Sequence, residues 1–494
     1  MTNEMSKNRT PAIQALRLAP LALALLLAGC AGTRSAYETP AAVLPAAWQQ
    51  LAPPAQSVQP VQLPERWWRQ FGDPALAQLV ETALARNNDL AAAAWRVRQA
   101  QLQAGIAATA LAPTLSGSVS SNASRRLEGS GNTTARSSGA TLAASYELDL
   151  WGRVGRTRDA AEWSARASAE DLEATAQALA GTAAGLYWQL GYLQLRLASS
   201  QESLAYSLRT QQLVRAQYAA GAVSALELRE AEQTVAGQRA VLAQLEQQRV
   251  ETRNAMAVLL DAPPGDATLV RLLPQPAQRL PEGALPAVAA GVPAELLARR
   301  PDLRAAEARL RSVLASGDAT RASYYPSLTL TGQLGTSSTA LLNLLSNPVA
   351  ALGAGLNLPF LRQREMQLSG ELASAQYAEA VVNFRQTLYA ALADVENALS
   401  ARSQQAQQGE QLALQLAAAR EAERLYEVRY RTGASALRLW LDAQERRRAA
   451  ELALQQNRLD QLNALATLYR VLGGGVPVVT PDSVLPPPAG EYSP

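Results

Sequence analysis

Four short stretches of this chain alternate apolar and polar residues, and the long stretches around them space their apolar residues three and four apart. Leu142, Ala144, Tyr146, Leu148 and Leu150 alternate with Ala143, Ser145, Glu147 and Asp149. Leu328, Leu330, Gly332 and Leu334 alternate with Thr329, Thr331 and Gln333, and Leu352 through Phe360 do so with Gly353, Gly355 and Asn357. Leu115, Gly117 and Val119 repeat the pattern more weakly among serines. A period of two over about ten residues predicts strands with one apolar face, as in a membrane β-barrel; a soluble antiparallel sheet gives the same alternation. Trp151, Tyr324, Tyr325 and Phe360 fall at strand ends, where an interfacial girdle would lie, and the polar stretches 121–140 and 336–347 are expected as external loops. The smallest membrane barrels have about eight strands, and an open edge in lipid leaves backbone groups unpaired. A chain with four spanning strands must therefore oligomerise, as a dimer or anything larger.

The helical stretches come in a fixed order. Asp73-Pro74 reads as a capping acid and an N1 proline, opening one helix of roughly 35 residues that stops at Leu111 before Pro113. Its counterpart starts near Pro293 and stops before Pro326. Leu186, Leu190, Leu193, Leu197, Leu204 and Leu208 mark a helix over 153–219, and Leu388, Leu392, Val395 and Leu399 mark another over 362–431. Each would be about 100 Å long. Gly221 and Gly433, three residues after Tyr218 and Tyr430, are placed to end them as left-handed caps. Ser224 and Glu227 then form a capping box for a return helix to about Leu260; the second return helix runs to about Leu472. Alanines on the remaining faces suit a wall of helices packed on both sides, with a plain lipid-anchored coiled coil as the alternative.

These elements are written twice. Residues 71–262 recur at 293–472 with an offset of about 213: Asp89-Leu90 aligns with Asp302-Leu303, Arg96 with Arg309, Arg98 with Arg311 and Pro113 with Pro326. Tyr218, Gly221, Glu230 and Ala231 align with Tyr430, Gly433, Asp442 and Ala443. The chain is a tandem repeat of one structural unit. The expected divisions are a signal peptide over 1–29, a Pro-rich lipidated segment over 30–70, the two repeats over 71–292 and 293–472, and a Gly/Pro-rich tail over 473–494.

Composition changes the picture at the N-terminus and in what it excludes. Lys7, Arg9 and Arg17 precede an apolar run, Leu18 to Ala28, too short to span a bilayer and closed by Leu27-Ala28-Gly29-Cys30. Small residues before the only cysteine fit a bacterial lipoprotein cleavage site, with Cys30 the lipidated first residue; Ala31 after it favours the outer membrane. Removing 1–29 leaves 42 basic and 41 acidic residues, so the pI of 9.0 carries no argument for nucleic acid. With no His, no second Cys and no Lys beyond Lys7, the usual nucleophile–base pairs and nitrogen or sulfur metal sites are missing, which argues against an enzyme. No cofactor is expected beyond the covalent lipid on Cys30. The candidate functional residues lie at the hairpin tips: Glu227 and Glu230 at the first, Arg438, Leu439 and Asp442 at the second. Charges at the mouth of a helical tunnel can hold it shut or tune ion passage, while acids at helix starts also simply suit the dipole.

Taken together, Trp67-Trp68 with Phe71 and Asp73, Leu148-Asp149-Leu150-Trp151-Gly152-Arg153, Arg299-Arg300-Pro301-Asp302, Tyr325-Pro326-Ser327 and Leu468-Tyr469 with Leu472-Gly473-Gly474-Gly475 resemble the TolC/NodT-type outer-membrane factors over nearly the whole mature chain. The resemblance implies a mainly α fold with β: a homotrimer whose twelve strands form an outer-membrane barrel continued by a periplasmic α-helical barrel. It implies a passive exit duct for small molecules (drugs, toxic compounds or metal ions), with a periplasmic adaptor and an inner-membrane transporter, of the proton-driven RND type, as partners. The same architecture also serves type I protein secretion. In that family two aspartate rings narrow the mouth six and nine residues after the second tip glycine; here Leu439 holds the first position and Asp442 the second. Pro359 to Arg364 and Val381 to Gln386 are more similar to the heavy-metal-efflux branch.

Overall fold

The computed structural model describes residues 34–50, 63–125, 134–266, 280–281, 283–288, 290–338, 348–477 and 480–484. Cys30 and the whole expected signal segment lie outside the described residues. In chain order the main elements are α1 (Pro74–Arg86), α2 (Asn88–Thr109), β1 (Thr114–Arg125), β2 (Thr134–Leu148), α3 (Arg153–Ala219) and α4 (Ala225–Leu259). They recur as α5 (Pro301–Ala322), β3 (Ser327–Ser338), β4 (Pro348–Asn357), α6 (Gln363–Arg431) and α7 (Leu437–Val471). Short helical turns cover Trp67–Phe71, Pro293–Glu295, Leu296–Arg299, Pro359–Leu361 and Pro481–Val484, the last inside the expected tail. The described residues form two compact units: one takes in those up to Ala41 with those of 98–167 and 306–385, the other the remaining described residues.

The first unit holds an antiparallel sheet in the order β1-β2-β3-β4. The strands outrun the period-two pattern. Residues 121–125 and 134–140, expected as loop, lie in the ladder that runs from Val119↔Ala140 to Arg125↔Thr134, and β3 continues to Ser338. Ladder bonds belong to the backbone and need no apolar face, and Ser and Thr are tolerated in strands. At the other end Leu150 and Phe360 fall outside β2 and β4. Every residue of β1 and β4 is exposed. Trp151 stacks on Tyr325 at 5.0 Å and donates its indole N–H to the Pro326 carbonyl at 2.7 Å. Asp149 caps α3, accepting from Val154 N at 3.0 Å and Gly155 N at 2.7 Å.

The second unit carries the main apolar core. Trp67 stacks on Tyr469 at 5.3 Å and Phe71 packs on Trp188 at 5.0 Å, amid Leu76, Leu79, Leu90, Leu462 and Leu465. Asp73 Oδ1 caps α1 through Ala75 N and Leu76 N, and its Oδ2 accepts from the Tyr187 hydroxyl at 2.9 Å. The Gly473-Gly474-Gly475 run is steric: a Cβ on each would lie within 2.8 Å of Arg299 O, Tyr469 O or Glu65 Cα.

The single helix expected from 74 to 111 is broken at Asn87, and its counterpart breaks at Arg300, the same repeat position. Asn87 is buried; its Oδ1 accepts from Leu90 N at 3.0 Å to start α2, and its Nδ2 donates to the carbonyl of Leu259, the last residue of α4. A side chain that competes with backbone bonding in this way ends one helix and begins the next. Arg300 is buried too and donates to the carbonyls of Val471, the last residue of α7, and Ala391, at 3.3 and 3.2 Å. It also pairs with Asp302 at 2.6 Å and Asp394 at 3.2 Å. Burial works against both charges of the Arg300–Asp302 pair, but their bond prevails: the Asp302 carboxyl lies below its usual range and the guanidinium above. Each half thus closes its return helix onto the helix break with one side chain.

Candidate functional site

The residues singled out at the hairpin tips sit on two copies of one turn. Gly221 and Gly433 have φ of 72° and 77°, the left-handed conformation that favours glycine after a helix end. In the first, Ala222 N donates to Gln217 O at 2.9 Å; in the second, Ala434 N donates to Arg429 O at 2.8 Å. The helices they join are 67 and 35 residues long in the first hairpin and 69 and 35 in the second.

Beyond the glycine the two tips differ. At the first tip Ser224 caps α4 through Leu226 N at 3.2 Å, and Glu227 accepts in return from Ser224 N at 3.0 Å and from the Ser224 hydroxyl. That hydroxyl bond comes first among the causes that hold the Glu227 carboxyl below its ordinary range; the Arg438 charge from the second tip adds to it. At the second tip the equivalent positions are Ala436 and Leu439, and the N-cap has no side-chain bond. The apolar Leu439 therefore stands where the first tip has the Glu227 half of its capping box. An aromatic contact stands there instead: Tyr430 stacks on Trp440 at 5.4 Å. Tyr218, at the matching place on the first tip, is exposed, and the residue matching Trp440 there is Leu228, which offers no ring to stack on.

Glu230, Arg438, Leu439 and Asp442 are exposed. Glu227 and Arg438 lie within electrostatic reach of each other, as do Asp442 and Tyr206, so the structure brings residues of both hairpins together. Sequence reasoning missed the contact behind them. Arg448 on α7 is buried, places its guanidinium 5.2 Å over the ring of Tyr206 on α3, and pairs with Glu445 at 2.8 Å. Burial pushes the Tyr206 phenol up to about 12. The matching positions in the other repeat are both alanine, Ala418 and Ala236, so the repeat itself gave no signal. Ion pairs tie each hairpin along its length: Arg215–Glu232 at 3.6 Å in the first, Arg447–Glu423 at 2.5 Å and Arg420–Glu451 at 3.5 Å in the second.

Among the described residues no helix is long and apolar enough to cross a membrane. The model of the family "Outer membrane efflux protein" matches residues 79–261 and again 292–474, the two copies of the repeat. The chain is 36% identical over 470 residues to the pyoverdine export outer membrane protein OpmQ of Pseudomonas putida, covering 93% of this chain and 97% of that one. It is 31% identical to the toluene efflux pump outer membrane protein TtgC of Pseudomonas putida, covering 92% and 94%. Among solved structures it resembles the open state of the Neisseria gonorrhoeae MtrE outer membrane channel, with a TM-score of 0.78 and 30% identity over 90% of this chain and 98% of that one. With paired repeats, an exposed four-stranded sheet and two long hairpins, this chain belongs to the outer membrane efflux protein family, as a channel of the outer membrane.

Proposed function

We propose that three copies of the chain close a twelve-stranded barrel in the outer membrane and continue it as a helical tunnel, the exit duct of a tripartite pump. One observation carries the reading: the sheet ends in two unpaired edges, β1 and β4, both exposed along their whole length. In lipid such edges must pair, and copies joined β4 to β1 satisfy every ladder in a closed ring. Twelve strands fit the barrel sizes that membranes accept, whereas four do not.

The cargo is a small organic molecule, in keeping with relatives named for pyoverdine and toluene, and the chain carries no catalytic step. Energy and selection come from an inner-membrane transporter, of the proton-driven type, through a periplasmic adaptor. Cys30 bears the lipid that anchors the protein to the same membrane. The tips form the mouth, with Asp442 and Leu439 as its narrowing rings and Glu227, Glu230 and Arg438 around them. Deleting the gene is expected to raise intracellular accumulation of toluene-like solutes, and the wild-type gene to reverse it. A purified protein that is a monomer in detergent, together with unchanged accumulation on deletion, would overturn the reading.

A further inference from the structure

The first described residues and an apolar cleft meet at one arginine. The cleft, of about 530 Å³, is lined by Arg321, Tyr324, Tyr325, Phe360, Met366 and Gly370 among others. It lies where α5 gives way to β3 and where the chain leaves β4 for α6, the ends of the strands next to the helices. Tyr325, Phe360 and Met366 are each about two-fifths exposed, so the apolar wall is open. At its rim Arg321 donates to the Ser35 hydroxyl at 2.7 Å. Ser35 is itself pinned, its N–H and hydroxyl donating to the two carboxylate oxygens of the buried Asp318 at 2.9 and 2.7 Å. Ser35 is five positions after Cys30, a span of at most about 17 Å.

We propose that this cleft seats one acyl chain of the lipid on Cys30. The inference rests on the reading of Cys30 as lipidated. A volume of this size belongs to the range that holds an extended small ligand, and the wall is aromatic and aliphatic. The cation at the rim favours a neutral occupant over a membrane phospholipid: Arg321 is engaged by Asp318 and Ser35, so it does not stand ready for a phosphate. A chain tethered this close is also present at high effective concentration, which loose lipid in the leaflet is not. Seated there, the lipid joins the strand base to the anchored N-terminus in addition to holding the protein in the membrane.

Growth on a palmitate analogue bearing a diazirine and an alkyne labels lipoproteins and phospholipids alike. After irradiation of whole membranes, the full-length protein is purified, digested and mapped by mass spectrometry. The expected product joins the Cys30 lipopeptide to the segments holding Tyr324 and Tyr325 or Phe360 and Met366. Gly370→Leu projects a side chain into open space and improves helix propensity, so the oligomer is kept while the cross-link disappears. Cross-links from the Cys30 chains only to phospholipid or other segments would overturn the proposal. So would a cleft adduct that carries glycerophosphate, or a cross-link unchanged in Gly370→Leu. An N-terminal peptide without lipid would instead sink the lipidation reading, and its mass reports that separately.

Discussion

The two hairpins of this chain have nearly the same lengths and the same glycine turn, yet they are closed by different chemistry. The first tip is fastened locally by the Ser224–Glu227 capping box. The second has Ala436 and Leu439 in those places, and relies on the Tyr430–Trp440 stack and on Arg448 reaching back to Tyr206. A cap acts within one turn of helix, whereas a ring contact and a cation over a neighbouring helix act between helices. The difference teaches that the first tip is a fixed post and the second is the part whose position depends on its neighbours. A mouth that opens is expected to open at the second.

The joints behind the hairpins give the largest contrast. Arg300 holds two carboxylates and two carbonyls where Asn87 holds one carbonyl and one N–H. Arg300→Ala leaves the carbonyls of Val471 and Ala391 without their donor, beside two partly exposed carboxylates, and is expected to cost about 2–3 kcal/mol, against about 1–2 kcal/mol for Asn87→Ala, measured as denaturant midpoints of the detergent-solubilised protein. Equal costs would mean that the joints do the same work. At the tips, Trp440→Ala is expected to release the second hairpin, at a cost on the order of 2 kcal/mol, and to raise channel conductance. Arg448→Ala should act the same way at about 1 kcal/mol and speed amide exchange over 437–448 more than over 225–236. Ser224→Ala should weaken only the first tip, by about 1 kcal/mol, and leave conductance unchanged.

The smallest effect is acid. The Glu227 carboxyl is held below its ordinary range, so the stabilisation is present above that range and is lost as pH falls through the depressed folded value. The second tip has no such group at Leu439. Amide exchange at the first tip should therefore accelerate below about pH 4.5 relative to the second. A matching acceleration at both tips would remove the capping box as the cause.

Much of this fold was legible in the sequence because its signals are periodic or written twice. The tip glycines, the capping box and the limits of α3 and α6 follow from spacing and from the repeat. Asn87 was missed since one polar residue inside a long helical period gives no sign that its amide will bond a carbonyl 172 residues away. The strands were underestimated because paired serines and threonines, such as Ser121 and Ser138 at 3.1 Å, carry no alternation. Of the candidate site, the tip residues were readable and the Tyr206–Arg448 contact was not. It joins helices from different halves, and neither residue type marks a site by itself.

The central claim is that this chain forms a duct whose closure lies at the second tip. Single-channel conductance of the purified, detergent-extracted protein in a planar bilayer tests it most directly, with Asp442→Ala and Ser224→Ala alongside. The account predicts a small conductance that rises in Asp442→Ala and stays unchanged in Ser224→Ala. No conductance from any of the three, or a rise only in Ser224→Ala, would contradict it.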